Sequence, residues 1–181
     1  MSAQAVGDDQ AEVAWQGKYI LVRKQGTWEY VARTRGVTAA VMLAVHEGEI
    51  ILVEQYRVPL GARCIELPAG LVGDEQEGEA IADAAIRELE EETGYRADRM
   101  VDLGRFHASP GMSSEGFNLL RAEGLTRVGQ GGGVAGEDIV VHHVALDAVA
   151  EFVAERRAAG CAVDVKLLLL LGAGFLGLPV A

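Results

Sequence analysis

The chain has 181 residues, half of them hydrophobic, and a formal net charge of −11 at pH 7. This length suits one domain with a substantial core. The negative charge disfavours binding to a nucleic-acid backbone, which requires a basic surface. The two cysteines, Cys64 and Cys161, form neither a disulfide framework nor a zinc-ligand pattern, so we expect both to act as small hydrophobic residues.

The N-terminal region contains no basic segment followed by an apolar core, so it does not predict a signal peptide. We expect residues 1–14 to form a mobile tail. Residues 17–22 and 27–33 alternate in polarity and are rich in aromatic and β-branched side chains. With the turn at residues 24–26, this pattern predicts a hairpin of two strands.

Two nearly continuous apolar runs, at residues 37–45 and 49–55, flank a turn at residues 46–48. They predict a second strand pair in a sheet that is covered on both faces. Further strands are expected at residues 64–67, 100–107, 115–122 and 139–146. The four histidines lack a metal-ligand spacing, and we assign them to structure: His46, His107, His142 and His143.

The C-terminal third predicts two helices. Asp147 could cap one that extends to residue 157, with Gly160 beyond its end. Another is expected to start near Asp164. Residues 167–181 carry no charge, but this run is shorter than the roughly 20 residues that a membrane span needs. We therefore expect a buried helix and a cytoplasmic protein.

The most informative stretch is acidic, at residues 73–95. Ile81, Ala85 and Leu89 recur at helical spacing and form an apolar stripe, which predicts a helix over residues 79–93. Gly94 stands where a residue in the left-handed conformation would end that helix.

Three carboxylates, Glu88, Glu91 and Glu92, project from one side of this helix near the edge of the apolar stripe. Like charges at this spacing destabilise a helix by roughly 0.2–0.5 kcal/mol per pair, and near the C-terminus they also oppose the helix dipole. A bound divalent cation would remove the conflict, because hard cations bind carboxylate oxygens and phosphates. The alternative is a solvated acidic face.

The spacing of the stretch matches the pattern G-x5-E-x7-R-E-U-x-E-E-x-G-U, in which U is a bulky apolar residue. The matching positions are Gly73, Glu79, Arg87, Glu88, Leu89, Glu91, Glu92, Gly94 and Tyr95. The chain therefore resembles the Nudix hydrolase family. The resemblance implies an α/β/α sandwich with a mixed β-sheet, which cleaves nucleoside diphosphates linked to another group and uses Mg²⁺ or Mn²⁺.

The resemblance also assigns roles within the acidic helix. It implies that Glu88 and Glu92 bind the metal directly, that Glu91 is an auxiliary ligand with a catalytic role, and that Arg87 and Glu79 brace the helix. In the family, the glycine of this pattern usually follows an alanine whose carbonyl also binds metal. Here that dipeptide is Ala69-Gly70, three residues before Gly73. Either the loop carries an insertion, or Gly73 has taken over the turn.

Flanking segments resemble the ADP-ribose pyrophosphatase branch of the family. They are EQYR at residues 54–57, ELPAG at residues 66–70 and Pro110, which lies 16 residues after Gly94. The resemblance implies that Tyr19 and Trp28 stack on adenine, that Glu29 bonds its edge, and that Arg33 and Arg57 face the diphosphate. Pro110, Gly111 and Met112 complete the expected substrate contacts. The alternatives are cross-strand packing for Tyr19 and Trp28, and a surface position for Arg57.

Residues 129–136 contain five glycines and precede Glu137 and Asp138. Ordering so many glycines is entropically costly, so we expect a loop that closes over substrate rather than a structural loop. The resemblance places a catalytic glutamate here, which makes Glu137 the expected general base. Asp138 is an alternative, and so is a disordered linker with a surface glutamate.

We expect an N-terminal tail and hairpin at residues 1–36, a hydrolase domain at residues 37–181, and a homodimer in which the hairpin completes the partner's adenine pocket. The expected reaction converts ADP-ribose to AMP and ribose 5-phosphate. Three alternatives remain: hydrolysis of another sugar nucleotide such as GDP-mannose, a non-catalytic domain that senses a nucleotide, and an acidic interaction module.

Overall fold

A computed structural model describes residues 11–34, 37–73, 78–134 and 136–175 of the protein. Residues 1–10 of the predicted tail lie outside these ranges. The strands are β1 (Glu12–Gln16), β2 (Ile20–Gln25), β3 (Trp28–Arg33), β4 (Thr38–Leu43), β5 (Val45–His46), β6 (Glu49–Arg57), β7 (Ala62–Glu66), β8 (Ala69–Val72), β9 (Tyr95–Arg96), β10 (Arg99–Phe106), β11 (Phe117–Glu123), β12 (Thr126–Arg127), β13 (Val140–Ala145) and β14 (Ala162–Val163). The helices are α1 (Ile81–Thr93), α2 (Val149–Ala158) and α3 (Leu168–Phe175), with 3₁₀ turns at Val58–Leu60 and Val165–Leu167.

The N-terminal strands form an antiparallel sheet in the order β1-β2-β3. The predicted hairpin is confirmed as β2 and β3, but the expectation of a mobile tail is wrong for residues 12–14, which belong to β1. β1 pairs with β2 through an irregular register, which shifts between Val13 and Trp15. The Trp15 ring also lies over Gly17, where a Cβ atom would be 2.5 Å from Cη2.

Two mixed sheets form the centre of the fold, in the orders β10-β11-β4-β8 and β13-β6-β7-β14, with β5 paired to β6. The β4–β11 and β7–β14 pairs are parallel. The predicted pairing of residues 37–45 with 49–55 is wrong, because β4 and β6 lie in different sheets. Only the short strand β5 returns onto β6. An apolar run identifies a buried strand, but it does not specify the partner of that strand.

The helices cover both faces of these sheets, which confirms the α/β/α sandwich. Along β4, Ala40 and Met42 pack in one core cluster with Ala85 and Leu89 of α1. Val41, between them, packs in a second cluster with residues of α2 and α3: Val149, Val153 and Leu171. Alternate side chains of one strand therefore reach opposite layers, as expected for a strand buried on both faces.

The two C-terminal helices begin differently from the prediction. Ala148, rather than Asp147, occupies the N-cap of α2. Asp164 caps the 3₁₀ turn before α3, because its Oδ1 accepts a hydrogen bond from the Lys166 N–H at 2.8 Å. Within the part of the chain that the structure describes, no helix is long and apolar enough to cross a membrane.

Candidate active site

The acidic helix α1 ends where the sequence predicts. Gly94 has a φ of 75°, and its N–H donates to the carbonyl of Glu90 at 2.9 Å. Ala85 and Leu89 are fully buried on the apolar side of α1. This packing fixes the rotation of the helix and turns Glu88 and Glu92 toward β8.

Glu92 is the most constrained carboxylate of this group. Its side chain is buried, and Oε2 accepts a hydrogen bond from the Ala69 N–H at 3.0 Å. Burial raises the pKa of Glu92 to about 8. The Ala69 N–H and Arg57 act to lower this pKa, whereas the negative charges of Glu88 and Glu137 act to raise it. The ionised form of Glu92 is therefore disfavoured unless a positive charge approaches.

Arg87 links the other acidic side chains near α1. Its Nη1 lies 3.0 Å from Oε1 of Glu88 and 3.3 Å from Oε2 of Glu91, while Nη2 lies 3.3 Å from Oε2 of Glu79. Burial alone would lower the pKa of Arg87, but the bonds to Glu79 and Glu88 and their charges raise it above its ordinary value. Arg87 therefore offsets part of the repulsion between Glu88 and Glu91, as well as contacting Glu79.

Two glycines flank this group for different reasons. A Cβ atom on Gly70 would lie 2.1 Å from Cγ and Cδ of Glu88, so Gly70 permits the close approach of this carboxylate to β8. Gly73 has a φ of 81°, which favours glycine at the turn that follows β8. Both glycines that the sequence offered are therefore needed, one for space and one for backbone conformation.

The chemistry of this group fits a hard divalent cation, although its present arrangement is not a formed ligand set. Among residues 11–34, 37–73, 78–134 and 136–175, no three His, Cys, Asp or Glu side chains converge as metal ligands. Arg87 is hydrogen-bonded to carboxylate oxygens of Glu88 and Glu91. The contact between Ala69 and Glu92 is made by the backbone N–H of Ala69. The ligand atoms that these side chains offer are all oxygens, however. Glu92 is also buried among negative charges, and a bound Mg²⁺ would reduce the repulsion between them. The role of the Ala69 carbonyl stays a prediction.

A cleft of about 530 Å³ lies beside this group and includes Ala69 and Gly70 in its lining. Three cation–carboxylate pairs also line it. Arg57 donates two hydrogen bonds to Glu66, at 2.6 and 2.7 Å. The other two pairs are Arg33 Nε with Glu115 Oε1 and Lys166 Nζ with Asp164 Oδ1, each at 2.7 Å.

These pairs orient three cations around the cleft. The hydrogen bond to Glu66 raises the pKa of Arg57, so this guanidinium stays charged. Lys166 and Asp164 were not predicted from the sequence as site residues. They come from the turn before α3, whose position over the cleft depends on the pairing of β14 with β7. Cys64 also lines the cleft, and burial raises the pKa of its thiol to about 12.

A second cleft, of about 380 Å³, has Trp28 and Tyr30 on one side and Pro110 and Gly111 on the other. The loop that carries Pro110 docks on β3, because the Val31 N–H donates to the Met112 carbonyl at 2.9 Å. The structure therefore brings the predicted base-binding residue Trp28 close to Pro110 and Gly111. The Met112 side chain is exposed.

The other predicted base contacts are not assembled within one chain. Neighbouring residues of a strand point to opposite faces, so Trp28 and Glu29 of β3 cannot meet the same base from that strand. Arg33 likewise lies on the face opposite Trp28 and lines the first cleft. Tyr19 is not among the residues that line either cleft, and its ring lies 4.8 Å from Nζ of Lys18.

The glycine-rich segment packs on the C-terminal end of α1. The N–H groups of Gly132 and Gly133 donate to the carbonyls of Glu92 and Glu91, at 2.8 and 3.0 Å. A Cβ atom on Gly131 would lie 2.4 Å from the carbonyl carbon of Thr93. The expectation that this is not a structural loop is therefore wrong for Gly131, Gly132 and Gly133, because these glycines allow close backbone contact and satisfy helix carbonyls.

The two candidate bases face different neighbours. Glu137 is exposed, its Oε2 accepts a hydrogen bond from the Val134 N–H at 3.0 Å, and its charge contributes to the raised pKa of Glu92. The Asp138 carboxylate is paired with Nη1 of Arg63 at 2.7 Å. Of the two, Glu137 is the one whose carboxylate remains available near α1.

The histidines contact neighbouring side chains and backbone. His142 Nε2 lies 3.0 Å from Oε2 of the buried Glu54, and His107 Nδ1 lies 3.1 Å from the Glu115 carbonyl. The rings of His46 and His143 pack against the ring of Tyr95, with centroid distances of 5.2 and 5.5 Å. These contacts agree with structural roles.

Comparison with known proteins shows the family to which this chain belongs. The family model for the NUDIX domain matches residues 34–129, which is more than half of the chain. A methanol dehydrogenase activator of Bacillus methanolicus is 37% identical over 65% of this chain and 63% of its own length. An ADP-ribose pyrophosphatase of Bacillus subtilis is 41% identical over 48% of this chain and 45% of its own length. The chain thus spans about half to two thirds of these two relatives.

A GDP-mannose pyrophosphatase of Cronobacter sakazakii is 33% identical over 84% of this chain and 82% of its own length. A crystal structure of an ADP compounds hydrolase matches 92% of each chain with a TM-score of 0.66 and 19% identity, which supports the fold. The sequence pattern in α1, the sandwich that carries it and the family match agree. The chain belongs to the NUDIX domain family.

Proposed function

We propose that the protein hydrolyses the diphosphate of a nucleoside diphosphate sugar, and that ADP-ribose is its substrate, with AMP and ribose 5-phosphate as products. The observation that carries this proposal is the position of Glu92. This buried carboxylate lies among other negative charges, beside a cleft in which carboxylates orient arginine side chains. A bound cation would complement the negative charges around Glu92, and a phosphorylated ligand would complement the arginines of the cleft.

Glu88 and Glu92, with Glu91 as an auxiliary ligand, would hold Mg²⁺ or Mn²⁺. The bound ion would polarise the diphosphate and lower the pKa of water. Arg87 has a preparatory role in this proposal, because it keeps Glu88 and Glu91 close together and would release their oxygens to the ion.

The remaining steps belong to side chains of the cleft. Arg57, fixed by two bonds to Glu66, presents a planar donor surface to phosphate oxygens, and Arg33 does the same from β3. Lys166 adds a third cation in the same cleft. Glu137 takes the proton from the attacking water.

We further propose a homodimer in which the β1–β3 sheet contributes to the partner's site. Trp15, Tyr19 and Trp28 are each more than half exposed. Trp28 and Arg33 also face different clefts of their own chain, so one β3 strand could serve two sites. Light scattering at micromolar concentration should give the mass of a dimer, and a fully active monomer would contradict this arrangement.

The function is tested with a substrate panel of ADP-ribose, GDP-mannose, NADH and diadenosine polyphosphates, each assayed with Mg²⁺, with Mn²⁺ and with a chelator. We expect the highest kcat/KM for ADP-ribose and no turnover with the chelator. Glu90→Gln, on the exposed side of α1, is the control for Glu88→Gln, which should be inactive. Thermal stabilisation by ADP-ribose without turnover of any substrate would instead indicate a nucleotide-sensing domain.

GDP-mannose is the second candidate substrate. The match to a GDP-mannose pyrophosphatase extends over most of both chains, including segments outside the NUDIX model. A kcat/KM for GDP-mannose at least about tenfold above that for ADP-ribose would correspond to about 1.4 kcal/mol of preference and would select this alternative.

A further inference from the structure

A buried ionic network lies on β6 and β7, outside the cleft. Its centre is Glu54, whose side chain is 4% exposed. Arg63 Nε donates to Glu54 Oε1 at 2.7 Å, Arg156 Nη2 donates to Oε2 at 2.8 Å, and His142 Nε2 lies 3.0 Å from Oε2. Burial would raise the pKa of Glu54, but the hydrogen bonds from Arg63 and His142 and the charge of Arg156 lower it. The carboxylate is thus held ionised as a fixed anchor.

Arg63 extends this anchor to another part of the chain. Its Nη2 donates to the Glu54 backbone carbonyl at 2.9 Å and to the Asp138 backbone carbonyl at 3.2 Å. Its Nη1 donates to the Asp138 carboxylate at 2.7 Å. One planar guanidinium therefore binds both the side chain and the backbone of Glu54 and of Asp138, a geometry that the point charge of a lysine cannot reproduce.

The position of Asp138 in the chain shows which segment the contact with Arg63 fixes. Asp138 directly follows Glu137 and precedes β13, so a bond to its carbonyl fixes the chain on the C-terminal side of Glu137. On the other side, Gly132 and Gly133 bind the end of α1. The segment that carries Glu137 is therefore held at both ends, once on α1 and once on β7.

We propose that Arg63 is a positioning residue for the general base: it fixes the backbone next to Glu137 to the buried carboxylate of Glu54, so that the Glu137 side chain reaches the cleft from a defined direction. The inference rests on the proposed function, in which Glu137 is the base. It gives a role to an arginine that neither lines the cleft nor contacts the acidic residues of α1.

A role in stability alone would not account for the contact with Asp138. The Asp138 side chain is 81% exposed, and exposed ion pairs contribute little to stability. Arg156 allows the two roles to be separated. It binds the same Glu54 carboxylate at a similar distance, but among the residues that the structure describes it donates hydrogen bonds to Glu54 and Cys161 and not to Asp138.

The experiment compares Arg63→Ala with Arg156→Ala in the full chain. Both substitutions remove a cation from Glu54, so both should lower the melting temperature. Only Arg63→Ala should lower kcat, by about ten- to a hundredfold, with KM within about threefold, because misplacement of a catalytic group affects the chemical step more than binding. Arg156→Ala should keep kcat within about threefold of the wild type.

Amide hydrogen exchange provides a readout that needs neither metal nor substrate. Exchange at residues 137–140 should be faster in Arg63→Ala than in Arg156→Ala at equal fractions of folded protein. If Arg63→Ala does not fold, Asp138→Ala is used instead, because it removes only the contact between the Asp138 carboxylate and Arg63. It should show the faster exchange and a smaller decrease in kcat, of about threefold to tenfold.

Equal decreases in kcat for Arg63→Ala and Arg156→Ala, or unchanged exchange at residues 137–140, would overturn the proposal. A further decrease in kcat when Arg63→Ala is added to Glu137→Gln would also overturn it, because a positioning residue has no effect once its target is removed. If the wild type hydrolyses no substrate of the panel, the proposed function fails. In that case the exchange comparison still decides whether Arg63 holds this segment.

Discussion

Ionisation of Glu92 should oppose the folding of the metal-free protein. The pKa of this carboxyl group is about 8 in the folded chain, against an ordinary 4.5. Between these two values the folded state binds more protons than the unfolded state, so the free energy of unfolding falls as pH rises. The penalty is absent below about pH 4.5 and complete above about pH 8, where it amounts to roughly 5 kcal/mol.

Glu92→Gln tests this reasoning. Glutamine keeps the size of the side chain, and its amide oxygen can still accept the bond from the Ala69 N–H, but it cannot ionise. We expect the variant to become more stable than the wild type, by about 3 kcal/mol more at about pH 8.5 than at about pH 5.5. The assay is urea unfolding of both proteins in the presence of a chelator at each pH.

Glu90→Gln is the matched control, because it removes the same charge from the same helix at a side chain that is 41% exposed. Its stability should stay within about 0.5 kcal/mol of the wild type at both pH values. Millimolar Mg²⁺ should stabilise the wild type but not Glu92→Gln. Parallel pH dependence of stability in the wild type and Glu92→Gln would show that ionisation of Glu92 does not oppose folding.

Three other experiments test the site. Trp28→Ala should raise KM for ADP-ribose by about ten- to a hundredfold in steady-state kinetics, since stacking on a base contributes about 1–3 kcal/mol; an unchanged KM would remove Trp28 from the base site. Gly131→Ala should lower the melting temperature more than Gly136→Ala, because both glycines have positive φ but only Gly131 lies against α1; equal decreases would show that backbone strain alone is responsible. Glu137→Gln should lower kcat by at least about a hundredfold while substrate affinity stays within a few fold, whereas Asp138→Asn should retain turnover. Loss of turnover only in Asp138→Asn would make Asp138 the base.

The acidic helix could be predicted closely because its signals are local. The apolar stripe from Ile81 to Leu89 and the left-handed glycine at position 94 define a helix without reference to the rest of the chain. The prediction of residues 79–93 differs from the observed Ile81–Thr93 only at the first turn.

Strand pairing could not be predicted in the same way. The runs at residues 37–45 and 49–55 are adjacent in sequence and separated by a turn, which favours a hairpin. In the fold, the first run pairs with β6 only at its end, through the short strand Val45–His46, and β4 pairs with β8 and β11. These partners are chosen by long-range packing, which a local pattern does not contain.

The residues of the site likewise divide into those that local sequence predicts and those that long-range packing brings together. The carboxylates of α1 share one sequence motif, so their proximity could be predicted. The position of the Lys166–Asp164 pair at the cleft, and the pairing of Arg63 with Glu54 and Asp138 beside it, depend on how distant strands meet. The glycines at residues 131–133 suggested mobility in the sequence, whereas the structure explains them by close contact with the end of α1.

The proposed reaction of this chain is cleavage of the diphosphate of a nucleoside diphosphate sugar. The most direct test is product analysis by mass spectrometry after incubation with ADP-ribose and Mg²⁺ in water enriched in heavy oxygen. We predict AMP and ribose 5-phosphate, with one heavy oxygen on a product phosphate and no reaction in the presence of a chelator. Release of ADP and free ribose, or hydrolysis that persists with the chelator, would contradict the account.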